Sequence, residues 1–193
     1  SIKTSSTAEK SIIGFVNEDA TLTNVQIEAA EKGANISIKS AEVDGLTVTT
    51  SGSEASNIEV STETSDVKNA QIEISEAGGI VEINNSGTLS GSIIAVNSNS
   101  GIENNLSINN AQVTNTQLQL LGGSSEVDVK TEVVNELTVS VDDTEGSRQD
   151  LSIEADSVTG FTLEVGSSSA TNASINSTAK VKQTSIASNT ENK

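Results

Sequence analysis

One pattern recurs eight times along the chain: an aliphatic residue, two spacers, then apolar residues at alternate positions. It opens at Leu22, Val43, Val67, Leu89, Val113, Val134, Val158 and Val181, at intervals of 21 to 24 residues. A shorter apolar pair lies 7 to 9 residues ahead of each opening, first as Ile13/Phe15 and Ile36/Ile38, last as Leu151/Ile153 and Ala173/Ile175. Two interleaved registers held through eight cycles are a repeat, and repeats of this length mean stacked units.

Alternation at period two places every second side chain on one face, which is the mark of a strand. Each unit therefore reads as three short strands: strand a is the apolar pair, strand b ends at the opening residue, and strand c is the longer alternating run. Three short strands cannot bury an apolar face alone. Stacking like strands in parallel closes the inward aliphatics into one column. The predicted fold is all-β, a parallel β-solenoid of about eight coils forming a single domain over residues 1–193. At ~4.8 Å per step the rod is roughly 38 Å long. Residues 1–11 are expected to be a polar N-terminal segment with no amphipathic helix pattern, and 187–193 a polar C-terminal tail.

The bend between strands b and c carries Asn24, Gly45, Asn69, Gly91, Asn115 and Gly160 at its second position; Glu136 and Gln183 are the exceptions. Asn and Gly tolerate left-handed backbone, so a tight bend is cheap there. On this corner and the repeat, the chain resembles the right-handed parallel β-helices, the family of pectate lyases and filamentous adhesin passengers. The resemblance implies a right-handed coil. It leaves enzyme, adhesin and fibre all open, because function lives in sites grafted on the fold.

Composition narrows the functions. The net charge is −17 with 10 basic residues, which argues against nucleic acid, where cationic contacts to phosphate dominate affinity. The chain has no His, Cys, Met, Pro, Trp or Tyr, and its aromatics are Phe15 and Phe161 alone. That removes thiolate metal sites, a histidine base and aromatic platforms for sugars. No apolar run approaches the ~18 residues of a membrane span, and no cofactor is expected. The absence of Met predicts a processed product or a fragment, with loss of a secretion signal the simplest route, hence an extracellular or cell-surface location.

Four features are candidates for chemistry. Glu59 and Glu82 lie on outward strand a positions of adjacent coils, with Asp128 further along. A carboxylate pair about 5 Å apart suits a retaining glycosidase; a solvated acidic face is the preferred reading, and the chain is not expected to be an enzyme. Asp142-Asp143-Thr144-Glu145 could bind calcium through clustered carboxylates; a solvated turn is preferred. Gln26, Thr47, Gln71, Ile93, Gln117, Thr138, Thr162 and Ser185 form an outward column on strand c, read as plain sheet surface. Asn35, Asn84, Asn105, Asn172 and Asn176 begin glycan-acceptor triplets; Asn35, Asn105 and Asn172 are read as turn residues before strand a.

The intervals alternate short and long, with the extra residues in the loop after strand c, so loops such as 97–105 and 142–150 are expected to bulge from every second coil. The chain enters at strand a and leaves after strand c, which predicts a whole number of coils with uncapped ends. Ile13, Phe15, Val181 and Ile186 are then the candidate end-to-end contacts. The expected partner is a second copy of the chain, head to tail, in an extracellular filament, with divalent cations as possible ligands of the acidic surface. The alternative is a fragment of an adhesin or phage fibre acting as a surface-binding module.

Overall fold

The computed structural model describes residues 1–62, 65–98, 103–142, 148–166, 170–179 and 181–188. Its segments are rich in Val, Ile and Thr, whose branched side chains pack well on a pleated surface. Strands form as β1 (Ile2–Ser5), β2 (Ser11–Thr23), β3 (Gln26–Ala30), β4 (Ala34–Asp44), β5 (Thr47–Gly52) and β6 (Ser56–Thr62). They continue as β7 (Val67–Lys68), β8 (Gln71–Glu76), β9 (Gly79–Asn85), β10 (Thr88–Ser90), β11 (Ile93–Asn97) and β12 (Asn104–Asn109). The rest are β13 (Gln112–Leu121), β14 (Ser125–Asp142), β15 (Arg148–Val165), β16 (Ala170–Ser177), β17 (Val181–Lys182) and β18 (Ser185–Ser188).

Every pairing between these strands is parallel, and the chain is a β-solenoid. Track a stacks Ile13 on Ile36, Ile36 on Ile58, Ile58 on Val81, and so on to Leu151 on Ala173. Track b stacks Leu22, Val43, Val67, Leu89, Val113, Val134, Val158 and Val181. Track c stacks Ile27, Val48, Ile72, Ile94, Leu118, Val139, Leu163 and Ile186. Eight rungs on tracks a and b give about seven turns from first to last. The corners are not always breaks: β14 and β15 run through all three tracks.

The inward aliphatics make a single core. Ile38, Leu46, Val60, Ile83, Leu89, Ile108, Leu137 and Phe161 have no solvent exposure. Successive rungs satisfy one another's backbone groups, as a solenoid interior requires.

Residues 1–11 add a strand that the repeat pattern does not show. They contain β1, which pairs with β3 so that Ile2 faces Ile27 and Thr4 faces Ala29. β1 thus lies on track c, one rung ahead of the first strand a, where the repeat places no strand. With one apolar side chain, Ile2, strand β1 is too short to display a period.

The interior is also more polar than the apolar pairs suggest. Alternation on track a continues one step further inward, to Ser40, Thr62, Asn85, Asn110, Thr131, Ala155 and Ser177 at the a–b corner. Their hydroxyls cross the bend: Ser40 donates to the Glu42 carbonyl at 2.9 Å, and Thr62 to the Ser65 carbonyl at 2.6 Å. The Asn85 and Asn110 side-chain amides meet at 2.9 Å, one donating and the other accepting. Burying these groups is tolerable because each finds a partner.

Candidate functional site

The b–c corner is the most regular local feature. All eight second positions have positive φ, between 45° and 72°, including Glu136 and Gln183. The alternation Asn24, Gly45, Asn69, Gly91 has a steric reason. A Cβ at Gly45 would lie 2.7 Å from Oδ1 of Asn24, and one at Gly91 would lie 2.9 Å from Oδ1 of Asn69. At these two steps the Asn side chain occupies the space above the next rung's corner, which favours glycine there; Asn115 is followed by Glu136 instead, so the rule does not extend to that step. Asn69 also reaches back, donating from Nδ2 to Asp44 at 2.8 Å.

A second left-handed corner joins strand c to strand a, and the repeat pattern does not announce it. Glu31 and Glu76 have φ of 77° and 74°, followed two residues later by Gly33 and Gly78 at 81° and 69°. Gly122 and Gly123 take the same role one super-repeat on, at 66° and 69°. The visible signal was the 45-residue spacing of the two Glu-x-Gly triplets. Here too the interior is polar: Asn104 accepts from the Gly79 amide at 3.2 Å, and Gln149 donates to the Gly123 carbonyl at 2.7 Å.

Outward positions of track a carry the carboxylates. Glu59 and Glu82 face each other on adjacent rungs, and Ser37 donates to Glu59 at 3.2 Å. Asp128 is separated from Glu82 by the Ser107 rung and pairs with Lys130 at 3.0 Å. Two shallow grooves run along this face. One lies over Ile12, Asn35, Asn57, Glu59, Ile80 and Glu82, the other over Glu126, Asp128, Asp150, Glu154 and Asn172. Asn35, Asn105 and Asn172 stand within strand a, paired with Asn57, Ile80 and Asp150, rather than in a turn. Pairing begins two or three residues before the apolar pair, which draws them into the strand. Asn84, in β9, and Asn176, in β16, lie further along the same track. The outward column from Gln26 to Ser185 on track c is in register throughout.

Charges are held mainly between rungs. Asp66 accepts from the Thr88 amide at 2.9 Å and pairs with Lys68 at 3.0 Å, which together hold its carboxyl below the usual range. The Asn172 amide and then Arg148 lower Asp150. Lys32 lowers Glu54. Lys68, between Glu42 and Asp66, is raised above its ordinary value. Among the described residues no group of three or more Asp or Glu is arranged to hold a metal ion, and no helix is long and apolar enough to cross a membrane. The Asp142–Glu145 cluster and the tips of the 97–105 and 142–150 loops lie outside the residues whose side chains are described.

The two ends differ. At the first rung Ile13 is 7% exposed and Phe15 is half-buried against the core. At the last rung Val181 is 48% and Ile186 65% exposed, whereas Val158 and Leu163 beneath them are 0% and 2%. Carboxylates thin out at the last rung, while the first rung keeps Glu18, Asp19 and Glu28. Strands β16, β17 and β18 contain no Asp or Glu, nor does β1 or the track a part of β2, while β15 alone carries Asp150, Glu154, Asp156 and Glu164. Comparison with known proteins returns no match among family models, curated proteins or solved structures.

Proposed function

We propose that this chain is a structural rod subunit that assembles head to tail with copies of itself into an extracellular filament. The carrying observation is the open last rung, where Val181 and Ile186 leave core positions to solvent that are buried one rung earlier. An open parallel edge is a template for another chain. The joint is heterologous, the geometry that propagates into filaments rather than closed rings. The absence of carboxylates from β16–β18 supports the reading, since Glu18, Asp19 and Glu28 of the first rung would meet no like charge across the joint. The acidic flanks then keep rods apart laterally, and divalent cations bridge them into bundles.

Negative-stain microscopy and light scattering of the full chain test this. Filaments about one solenoid wide are expected at high protein concentration, lost on Ile186→Lys. Monomeric particles at every concentration and ionic strength would sink it. A second reading, a surface-binding module, is favoured by the two grooves on track a. It expects monomers, with a ligand perturbing the amide signals of Asn57 and Glu82.

A further inference from the structure

The head-to-tail reading meets an obstacle at the first rung, because β1 already occupies the track c edge of β3. If β1 stayed there in the joint, it would stack on β18 of the second copy and leave tracks a and b apart by the width of one strand. If β1 left, all three tracks would meet directly, and Ile186 of the second copy would take the place over Ile27 that Ile2 holds in the single chain. The second arrangement pairs far more backbone.

Three observations favour it. First, β1 is weakly held: Ile2 is 41% exposed, and only Thr4 of its four residues is partly buried, with its hydroxyl lacking a partner. Second, β1 and β18 are alike in sequence and register. Ser1-Ile2-Lys3-Thr4 aligns with Ser185-Ile186-Ala187-Ser188 when Ile2 and Ile186 share the column that runs through Ile27 and Leu163. The strand c runs between them begin with Gln, Thr or Ile instead. Third, the chief polar tie of β1 is the Lys3–Glu28 ion pair, both of whose side chains are more than half exposed. Such a pair is screened by salt and weak.

We propose that β1 is an exchangeable guard strand: in the free subunit it covers the edge of β3, and on assembly β18 of a second copy displaces it. This deepens the head-to-tail reading and rests on it. The exchange gives the subunit a way to remain single at low concentration, since β1 competes with the neighbour as an intramolecular ligand. It also makes assembly respond to salt through Lys3–Glu28.

The chain contains no cysteine, so engineered disulfides report the joint without background. Directly opposed positions on adjacent strands lie within disulfide reach. In Ile2→Cys/Ile27→Cys, oxidation locks β1 on β3; filaments are expected only after reduction. In Ile27→Cys/Ile186→Cys, oxidation of filaments is expected to give a ladder of covalent multimers on a non-reducing gel. In full-length Ile2→Asp, loss of the one apolar anchor of β1 is expected to raise the assembled fraction about tenfold at equal concentration. A locked variant that assembles as well oxidised as reduced would overturn the guard strand, as would multimers from Ile2→Cys/Ile186→Cys in place of Ile27→Cys/Ile186→Cys. If neither the wild type nor Ile2→Asp forms filaments at any salt concentration, the head-to-tail reading falls with it.

Discussion

The stacked b–c corner allows a prediction in which strain and crowding separate. Gly45 has φ of 72°, and a Cβ there would sit 2.7 Å from Oδ1 of Asn24 on the preceding rung. An L-residue in this conformation costs roughly 1–2 kcal/mol. The stiffer unfolded chain of Ala returns about 0.4–1 kcal/mol. Gly45→Ala should therefore lose about 1 kcal/mol from backbone alone, and about 1 kcal/mol more from displacing the Asn24 side chain. Asn24→Gly removes that crowding without forbidding the turn, so Gly45→Ala in this background should cost only the backbone share. The double-mutant cycle should then give a coupling near 1 kcal/mol. Urea unfolding followed by circular dichroism measures each corner of the cycle. Equal costs of Gly45→Ala with and without Asn24 would refute the steric account of the Asn/Gly alternation.

Three other outcomes follow from the same structure. Glu136 is exposed, with φ of 61°, so Glu136→Gly should raise stability by about 0.5 kcal/mol, read from the same urea midpoints. Asn110→Ala strips the buried amide from Asn85 and should cost about 1–3 kcal/mol, while conservative Asn110→Gln or a surface change such as Asn109→Ala should show how local that loss is. Asp66, Asp150 and Glu54 are lowered below ordinary values of 3.8, 3.8 and 4.5, so their stabilisation is complete above that range and drains away as pH falls through the folded values. Lys68 and Lys130 are raised, so their share is intact below 10.5 and is lost only as pH climbs past it. Thermal melts should be flat from about pH 5 to 10 and fall at both extremes; a melting temperature that rises below pH 4 would contradict this.

The repeat was legible because inward positions of a solenoid tolerate little but aliphatic residues. Every apolar pair on track a and every opening residue on track b finds its expected neighbour, from Ile13 on Ile36 to Val158 on Val181. The hydroxyl and amide columns were harder to see. Ser40, Thr62 and Asn110 continue the alternation, but a polar residue at that step reads as the end of a strand unless its partner across the bend is known. Strand β1 was hidden for another reason: its place comes from β3 beneath it, and four residues with one aliphatic carry no period of their own. The carboxylates were legible as an outward face. Which of them are held by a backbone amide, as Asp66 is by Thr88, depends on a neighbour 22 residues away.

The left-handed Glu31 and Glu76 corners recur after 45 residues, and each tight turn bridges to the wider loop that follows it, Lys32 to Gly52 and Ala77 to Ser98. Growth or shortening by one coil would set two tight turns, or two wide loops, side by side and break that latch. Growth by two coils preserves it. Gene duplication acting on such a molecule can thus lengthen it smoothly only in increments of about 9.6 Å, twice the inter-strand step.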